Sequence, residues 1–493
     1  MTAKAHAIAL RNFTTGPRIA AMLRSLLIVF LPALLAGLFT ATADERPNLM
    51  VILCDDLGYG DLACYGSKTI RTPHLDRLAA QGIRFTDFYS TSPVCSPSRI
   101  GLLTGRTPNR AGVYDWIPSG NRMHMGKDEF TMSAMLKRAG YATCMSGKWH
   151  CNGLFNRVGQ PQPGDFGFEH WFATQNNAAP SHKNPKNFVR NGKNAGPSEG
   201  FSCQVVAREA IRWIENHAKE SPDQPFFSYV AFHEPHEPID SPASLVAGYP
   251  KANKRGEALY YANVENMDAA VGEITAALER LKLTENTLLV FTSDNGPETL
   301  NRYGGAWRSH GSPGPLRGMK LHTHEAGIRV AGIMRWPLQI KAGQVSSVPV
   351  SALDLMPTFA GLAAGEIPVD RHLDGADMMN TLSGGKIKRS QPLFWCYYSA
   401  LNKAKVAMRD GDWKLLARLI SPEGKALKTR AITKANRNTF AGAALTDLEL
   451  YKISTDIAEK ENLAKKHPGK VRAMAARLKD IYRDVARDAK AWQ

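Results

Sequence analysis

The chain has 493 residues, 43% of them hydrophobic, enough apolar material to bury a large core, so a disordered chain is excluded and two or more domains fit the length. A formal net charge of +17 turns the protein toward anionic partners. The basic residues are scattered, with no dense block interleaved with aromatics, which argues against nucleic acid as a partner and leaves a sulfated or carboxylated glycan as the better fit.

The first residues read as an export signal. Lys4, Arg11, Arg18 and Arg24 precede any acid, an apolar run follows from Leu26 to Ala41, and Ala41-Thr42-Ala43 stands before Asp44. Cleavage after Ala43 is expected, giving a signal peptide over residues 1–43 and an exported mature chain, periplasmic or extracellular. Pro32 interrupts the run, which is short for a span, so no stable membrane insertion is expected after signal removal; an uncleaved anchor is the alternative. The stretch before Met22 is long for a signal, and Met22 is an alternative start.

Four segments then read as buried strands: Asn48 to Cys54, Tyr141 to Ser146, Phe226 to Phe232 and Thr287 to Ser293. Helices separate them. Leu75, Leu78 and Ala79 before Gly82 mark one, Val206, Ala210, Ile211 and Ile214 another, and Met267, Val271, Ile274, Leu278 and Leu281 the clearest amphipathic one. Alternating strands and helices imply an α/β fold, a mostly parallel sheet sandwiched by helices. Ligands of such sheets gather at the carboxyl ends of strands, and these ends carry Asp55-Asp56, Lys148-x-His150, His233-x-x-His236 and Asp294-Asn295. The segment from His182 to Gly200 is expected to be a long loop. After about Gly385 shorter candidate strands follow, Pro392 to Tyr398, Val406 to Arg409 and Trp413 to Ala417, then a basic segment and a terminal helix from about Pro468. The expected domains are residues 44–385, catalytic, and 386–493, a smaller α+β unit.

Asp55, Asp56, Asp294 and Asn295 offer an all-oxygen set suited to a hard cation such as Ca2+ or Mg2+; solvated turn residues are the alternative. Seven cysteines, with no paired spacing, give neither a disulfide framework nor a zinc motif. Cys95 stands apart. With Ser96 as N-cap and Pro97 at the first helical position, it lies at the positive end of a helix running through Ile100 to Leu103 and closing at Gly105. That end attracts anions, and Arg99 is about one turn in. A thiolate with a lowered pKa is one reading, but soft sulfur matches a hard metal poorly.

Pro93 to Gly105 resembles the signature of the formylglycine-dependent sulfatases, Cys-x-Pro-Ser-Arg followed by Leu-Leu-Thr-Gly-Arg, and Gly140 to His150 resembles their second signature. The likeness extends across most of the mature chain, including Leu450-Tyr451 to Glu461-Asn462-Leu463. It implies an alkaline-phosphatase-like α/β domain plus a small domain with an antiparallel sheet. It also implies that a formylglycine-generating enzyme oxidises Cys95 to an aldehyde whose hydrate offers oxygen, not sulfur. Ca2+ would then be held by Asp55, Asp56, Asp294 and Asn295 together with the modified Cys95.

By the same resemblance, a hydrate hydroxyl attacks sulfur while the metal, Arg99 and Lys148 neutralise the equatorial oxygens. His236 and Lys320 protonate the leaving alcohol, and His150 takes the second hydroxyl's proton, expelling sulfate. In His233-Glu234-Pro235-His236-Glu237-Pro238 the family spacing matches His236, and His233 is open to a structural or supporting role. Lys320 by itself would be read as a surface lysine, and His322 and His324 as loop residues. Cys151-Asn152 after His150, Ala326 and Ala331 depart from the family pattern, which leaves the subfamily in doubt.

Specificity is expected from Tyr114 to His124, His182 to Gly200, and Asn301 to Ser312, the last carrying Arg302, Trp307, Arg308 and His310; a solvated basic loop is the alternative. A sulfated carbohydrate is the expected substrate. The alternatives are a phosphonate monoester or phosphodiester hydrolase of the same superfamily and an inactive glycan-binding homologue.

Overall fold

The computed structural model describes residues 46–493; the expected export signal and its cleavage site at Ala43 lie outside the described residues. Arg46–Gln493 form one compact unit. Its main sheet contains β1 (Asn48–Cys54), β2 (Ile83–Tyr89), β3 (Ala142–Lys148), β4 (His170–Thr174), β5 (Val189–Arg190), β6 (Lys193–Asn194), β7 (Phe226–Ala231), β8 (Thr287–Ser293), β9 (Arg329–Arg335), β10 (Gln344–Ser346) and β11 (Val350–Ser351). A second, antiparallel sheet is built from β12 (Leu393–Cys396), β13 (Val406–Asp410), β14 (Trp413–Ile420) and β15 (Ala444–Lys452).

The main sheet runs β10-β2-β9-β8-β1-β7-β3-β4-β5-β6, with β11 also on β2. Strands β8, β1, β7, β3 and β4 are mutually parallel, while β9 runs antiparallel to both β8 and β2. The fold is therefore α/β with a mixed, mostly parallel sheet. Strand β1 shows why its sequence is apolar throughout. Leu49, Val51 and Leu53 enter one core and Met50, Ile52 and Cys54 the other.

On one face pack the helices Pro73–Ala80, Ser202–Glu220 and Glu257–Arg280, through Leu75, Val206 and Met267. The other face takes the helices Cys95–Thr104 and Leu355–Ala363 and the second sheet, through Ile100, Phe359 and Leu415. Each such side chain contributes roughly 1.5–3 kcal/mol on burial.

The second sheet is also joined to the first by buried ion pairs. Lys414 Nζ, fully buried, reaches Glu325 at 2.8 Å and Glu459 at 2.9 Å, and Asp87 is shared by Arg329 and Arg409, each at 2.6 Å. Arg110 ties the terminal helix Pro468–Asp488 through Asp484 and Asp488 while holding Asp374.

Several sequence expectations change. Strands β2, β9 and β15 were not anticipated, and the segment His182–Gly200 contains the short β5–β6 hairpin. All seven cysteines are free, and all but Cys64 are buried. Among the described residues, no helix is long and apolar enough to cross a membrane.

Candidate active site

Because β8, β1, β7 and β3 are parallel neighbours, the segments that follow them meet at one edge of the sheet. Strand β1 stops at Cys54, and Asp56 takes a left-handed backbone, φ 65°, so Asp55 and Asp56 escape the alternation of a strand. The chain then turns tightly at Gly58, where a Cβ would lie 2.3 Å from the Ser312 carbonyl oxygen. Asp55, Asp56, Asp294 and Asn295 are all buried.

These acids are matched by cations. Lys148 Nζ donates to Asp55 Oδ2, and Lys320 Nζ donates to Asp56 at 2.7 Å. Arg99 grips Asp294 Oδ2 through Nε at 2.9 Å and a terminal nitrogen at 2.8 Å, and donates to the Lys148 carbonyl at 3.0 Å. The Asp56 N–H donates to Asp294 Oδ1 at 3.3 Å, and Asn295 Nδ2 donates to Asp56 Oδ1 at 2.7 Å. Burial opposes ionisation of Asp55, but Lys148, His236 and Arg99 hold its carboxyl well below the usual range. Asp294 is pushed up to about 7 by burial and by the Asp55 charge, against Arg99 and Lys148.

Two carboxyls driven apart in this way are what a bound cation would relieve. Asp55 Oδ1 and Asn295 Oδ1 are buried with no hydrogen-bond partner, and Asp55, Asp56, Cys95 and His236 bring ligand atoms within 4.8 Å of one another. The oxygen donors fit a hard divalent ion; the Cys95 thiol does not.

Cys95 opens the helix Cys95–Thr104, which ends at Gly105 with φ 65°. Ser96 is not its N-cap. Val94 holds that position in extended conformation, and the Ser96 hydroxyl instead accepts from the Ile117 N–H at 3.0 Å, so the helix starts two residues earlier than the Ser-Pro pair implied. Cys95 therefore sits in the first turn, among N–H groups without intrahelical partners. Burial pushes its thiol up, with Lys320 and Lys148 only partly offsetting this, so the sulfur keeps its proton at neutral pH.

His150 follows β3 with φ 55°. Its Nε2 donates to the Ile117 carbonyl at 3.1 Å, leaving Nδ1 as a bare, buried acceptor without a partner. Burial, then Lys148 and Arg99, hold the imidazole neutral. His236 is less enclosed; its Nδ1 donates to the Glu237 carbonyl at 2.5 Å and Nε2 lies 3.5 Å from Asp56 Oδ2. His233 is held elsewhere, with Nε2 on Thr174 Oγ1 at 2.8 Å and its ring edge-on to Phe188.

Lys320 is buried, not a surface lysine, and desolvation is outweighed by the carboxylates of Asp56 and Glu298, which keep it charged. Glu298 escaped the sequence reading. It lies 3.8 Å from Lys320 and carries a two-pronged pair with Arg302; its only sequence signal is its place just after Asp294-Asn295-Gly296-Pro297. His322 and His324 lie in the loop before the helix Glu325–Ile328, as expected; His324 is nevertheless buried and stacks on His322.

The rim offers partly exposed aromatics, Trp116 and Tyr303. Arg302 lies over Tyr303, and Arg255 and Arg308 flank Trp307 at 4.4 and 4.7 Å. Arg308 also pairs with Glu237 and His310 Nε2 with the Arg255 carbonyl, so this loop is knit together internally. Asp61 clamps it from below, accepting from the Ser312 N–H and Tyr260 hydroxyl.

A family model described as Sulfatase matches residues 47–366. N-acetylgalactosamine-6-sulfatase of Canis lupus familiaris is 34% identical over 383 residues, covering 73% of this chain and 70% of that protein. Arylsulfatase A of Homo sapiens is 34% identical over 483 residues, covering 89% and 86%. The structure of Ps i-CgsB in complex with k-i-k-neocarrahexaose superposes with a TM-score of 0.75 at 28% identity, covering 90% of this chain and 94% of that one.

Proposed function

The chain belongs to the sulfatase family and is a sulfuric ester hydrolase, and on that premise we propose that it removes sulfate from a sulfated carbohydrate at a centre made from oxidised Cys95. In this reading Asp55, Asp56, Asp294 and Asn295 hold Ca2+, and a formylglycine-generating enzyme modifies Cys95 during maturation. The observation that carries it is a buried, free cysteine set among oxygen donors, two of which, Asp55 Oδ1 and Asn295 Oδ1, lack partners. A thiol is the wrong ligand beside such a set; an aldehyde hydrate in its place is the right one.

When present, the cation would withdraw charge from sulfate oxygens and the hydrated aldehyde would supply an oxygen nucleophile. The remaining work falls to this chain's own side chains. Arg99, locked on Asp294 and the Lys148 carbonyl, fixes the acid cluster and adds positive potential. Lys148, whose ammonium lies against Asp55 at the same cluster, would present it to the sulfate group. As the sulfur–oxygen bond breaks, Lys320 and His236 deliver a proton to the departing alcohol oxygen. His150 Nδ1, neutral and unpartnered, accepts a proton when sulfate leaves.

The carbohydrate assignment draws support from relatives named for N-acetylgalactosamine sulfate and from the oligosaccharide complex, together with the Trp116 and Tyr303 rim. We read residues 44–385 as the catalytic domain, 386–493 as its partner subdomain, and residues 1–43 as the export signal. The test is the ratio of rates on the sulfate and phosphate esters of one phenol. Faster sulfate release is expected. Preference for the phosphate ester or a phosphonate monoester would overturn the reading.

A further inference from the structure

The second sheet contributes more than support to the pocket. Val94, beside Cys95, and Leu321, beside Lys320, share an apolar cluster with Tyr397 and Ala400 of the turn after β12. The Leu401 N–H donates to the Leu321 carbonyl at 2.9 Å, so this turn abuts the pocket wall. The β14–β15 connection leans on the same turn, since the Ser399 hydroxyl donates to the Thr429 carbonyl at 2.9 Å. Arg430 reaches the rim itself, 3.6 Å from Asp115, the residue before Trp116.

These adjoining segments are strongly basic. Lys403, Lys428 and Arg430 are exposed, Lys428 and Arg418 lie close enough to Lys405 to act on its charge, Arg418 pairs with Asp447, and from 421 to 437 the only acid is Glu423. The crowding is felt at Lys405, whose ammonium is lowered to about 8 by burial, then by Lys428 and Arg418. Like charges gathered on an exposed connection cost stability unless an anion answers them. Arg430 is not answered by Asp115: the guanidinium is 76% exposed, the separation is long, and the other Asp115 oxygen is taken by the Tyr397 hydroxyl at 2.9 Å.

We propose that the β14–β15 connection, through Lys428 and Arg430 with Lys403 beside them, is a cationic track that binds the anionic groups of sugars neighbouring the one being desulfated. The preferred substrate is then a sulfated chain, not an isolated monosaccharide sulfate. This rests on the sulfatase reading above and adds the length of substrate that the enzyme engages.

The test compares wild type with the Lys428→Ser/Arg430→Ser variant and with the charge-conserving Lys428→Arg/Arg430→Lys variant. Each is assayed on polymeric chondroitin 6-sulfate, on carrageenan and on 4-nitrophenyl sulfate, across a range of salt. At low salt the serine variant should lose about tenfold in kcat/KM on the polymer that wild type prefers, through KM, with a flatter salt dependence. Its rate on 4-nitrophenyl sulfate should not change, and the charge-conserving variant should match wild type. An unchanged polymer rate, an equal loss on the aryl ester, or a charge-conserving variant as weak as the serine one overturns the track. Wild type that hydrolyses the aryl ester but neither polymer also overturns it while leaving the sulfatase reading intact; hydrolysis of neither class of substrate defeats that reading itself.

Discussion

Replacing Arg99 by alanine should couple stability to calcium in a measurable way. The guanidinium is fully buried, donates one hydrogen bond to Asp294 and one to the Lys148 carbonyl, brings a second nitrogen to 2.8 Å from the same Asp294 oxygen, and lies 3.7 Å from Asp55. Its removal leaves two buried carboxylates facing each other with Lys148 as the nearer remaining cation. Breaking a buried pair of this kind costs about 3–5 kcal/mol. In chelator, urea denaturation of Arg99→Ala should therefore show a loss of that order. A divalent ion at the same carboxylates replaces part of the missing charge, and at a hundred times its Kd any ligand adds about 2.7 kcal/mol to the form that binds it. The variant should accordingly be stabilised by calcium, and its gap from wild type should narrow. Arg99→Lys, which keeps the charge without the guanidinium's separate bonds to Asp294 and the Lys148 carbonyl, should fall between. Equal stability of wild type and Arg99→Ala in chelator would refute the electrostatic account, and a gap indifferent to saturating calcium would refute the placement of the ion.

Three further outcomes are expected. His150→Ala should lower kcat/KM on an aryl sulfate by about 10²- to 10⁴-fold, the usual contribution of a general base, and a rate within twofold of wild type would remove His150 from that role. Lys414→Met should cost roughly 3–5 kcal/mol by leaving Glu325 and Glu459 without their shared ammonium. Glu459 is pushed up to about 7 by burial, so the loss should deepen as pH rises through 7, measured by urea denaturation at pH 5.5 and 8. Asp268 accepts from the His74 and Leu75 N–H groups and is raised by burial to about 7. Its protonated folded form favours stability below the unfolded value near 4, an advantage lost as pH climbs to 7, so Asp268→Asn should gain stability relative to wild type between pH 4 and pH 8 in urea denaturation, and an unchanged difference would refute the burial account.

Much of this architecture is written locally. Strands β1 and β8 match their apolar runs residue for residue, because both faces of a central parallel strand are buried and the run has no polar interruption. Strand β2 hides behind Arg84, Thr86 and Asp87, and β9 is bracketed by Arg329, which pairs with nearby Glu325 and distant Asp87, and by Arg335, which donates to distant Gln81. Strand β15 carries a bulge between Thr446 and Glu449, where Asp447 takes φ 47°, and this breaks its alternation. At the site, the strand-end position of Asp55-Asp56 and Asp294-Asn295 was visible from the apolar runs before them. The burial of Lys320 was not, since it depends on Asp56 and Glu298, residues 264 and 22 positions earlier in the chain. The Ser96 cap failed because the Ile117 N–H, 21 positions away, claims its hydroxyl.

The central claim concerns one side chain. Mass spectrometry of the tryptic peptide Phe85–Arg99, from protein made in its native host and assayed for sulfate release in parallel, tests it most directly. The account predicts that Cys95 carries the aldehyde or its hydrate, and that activity across preparations rises in proportion to the modified fraction. Full activity in a preparation whose Cys95 is entirely an unmodified thiol would contradict it.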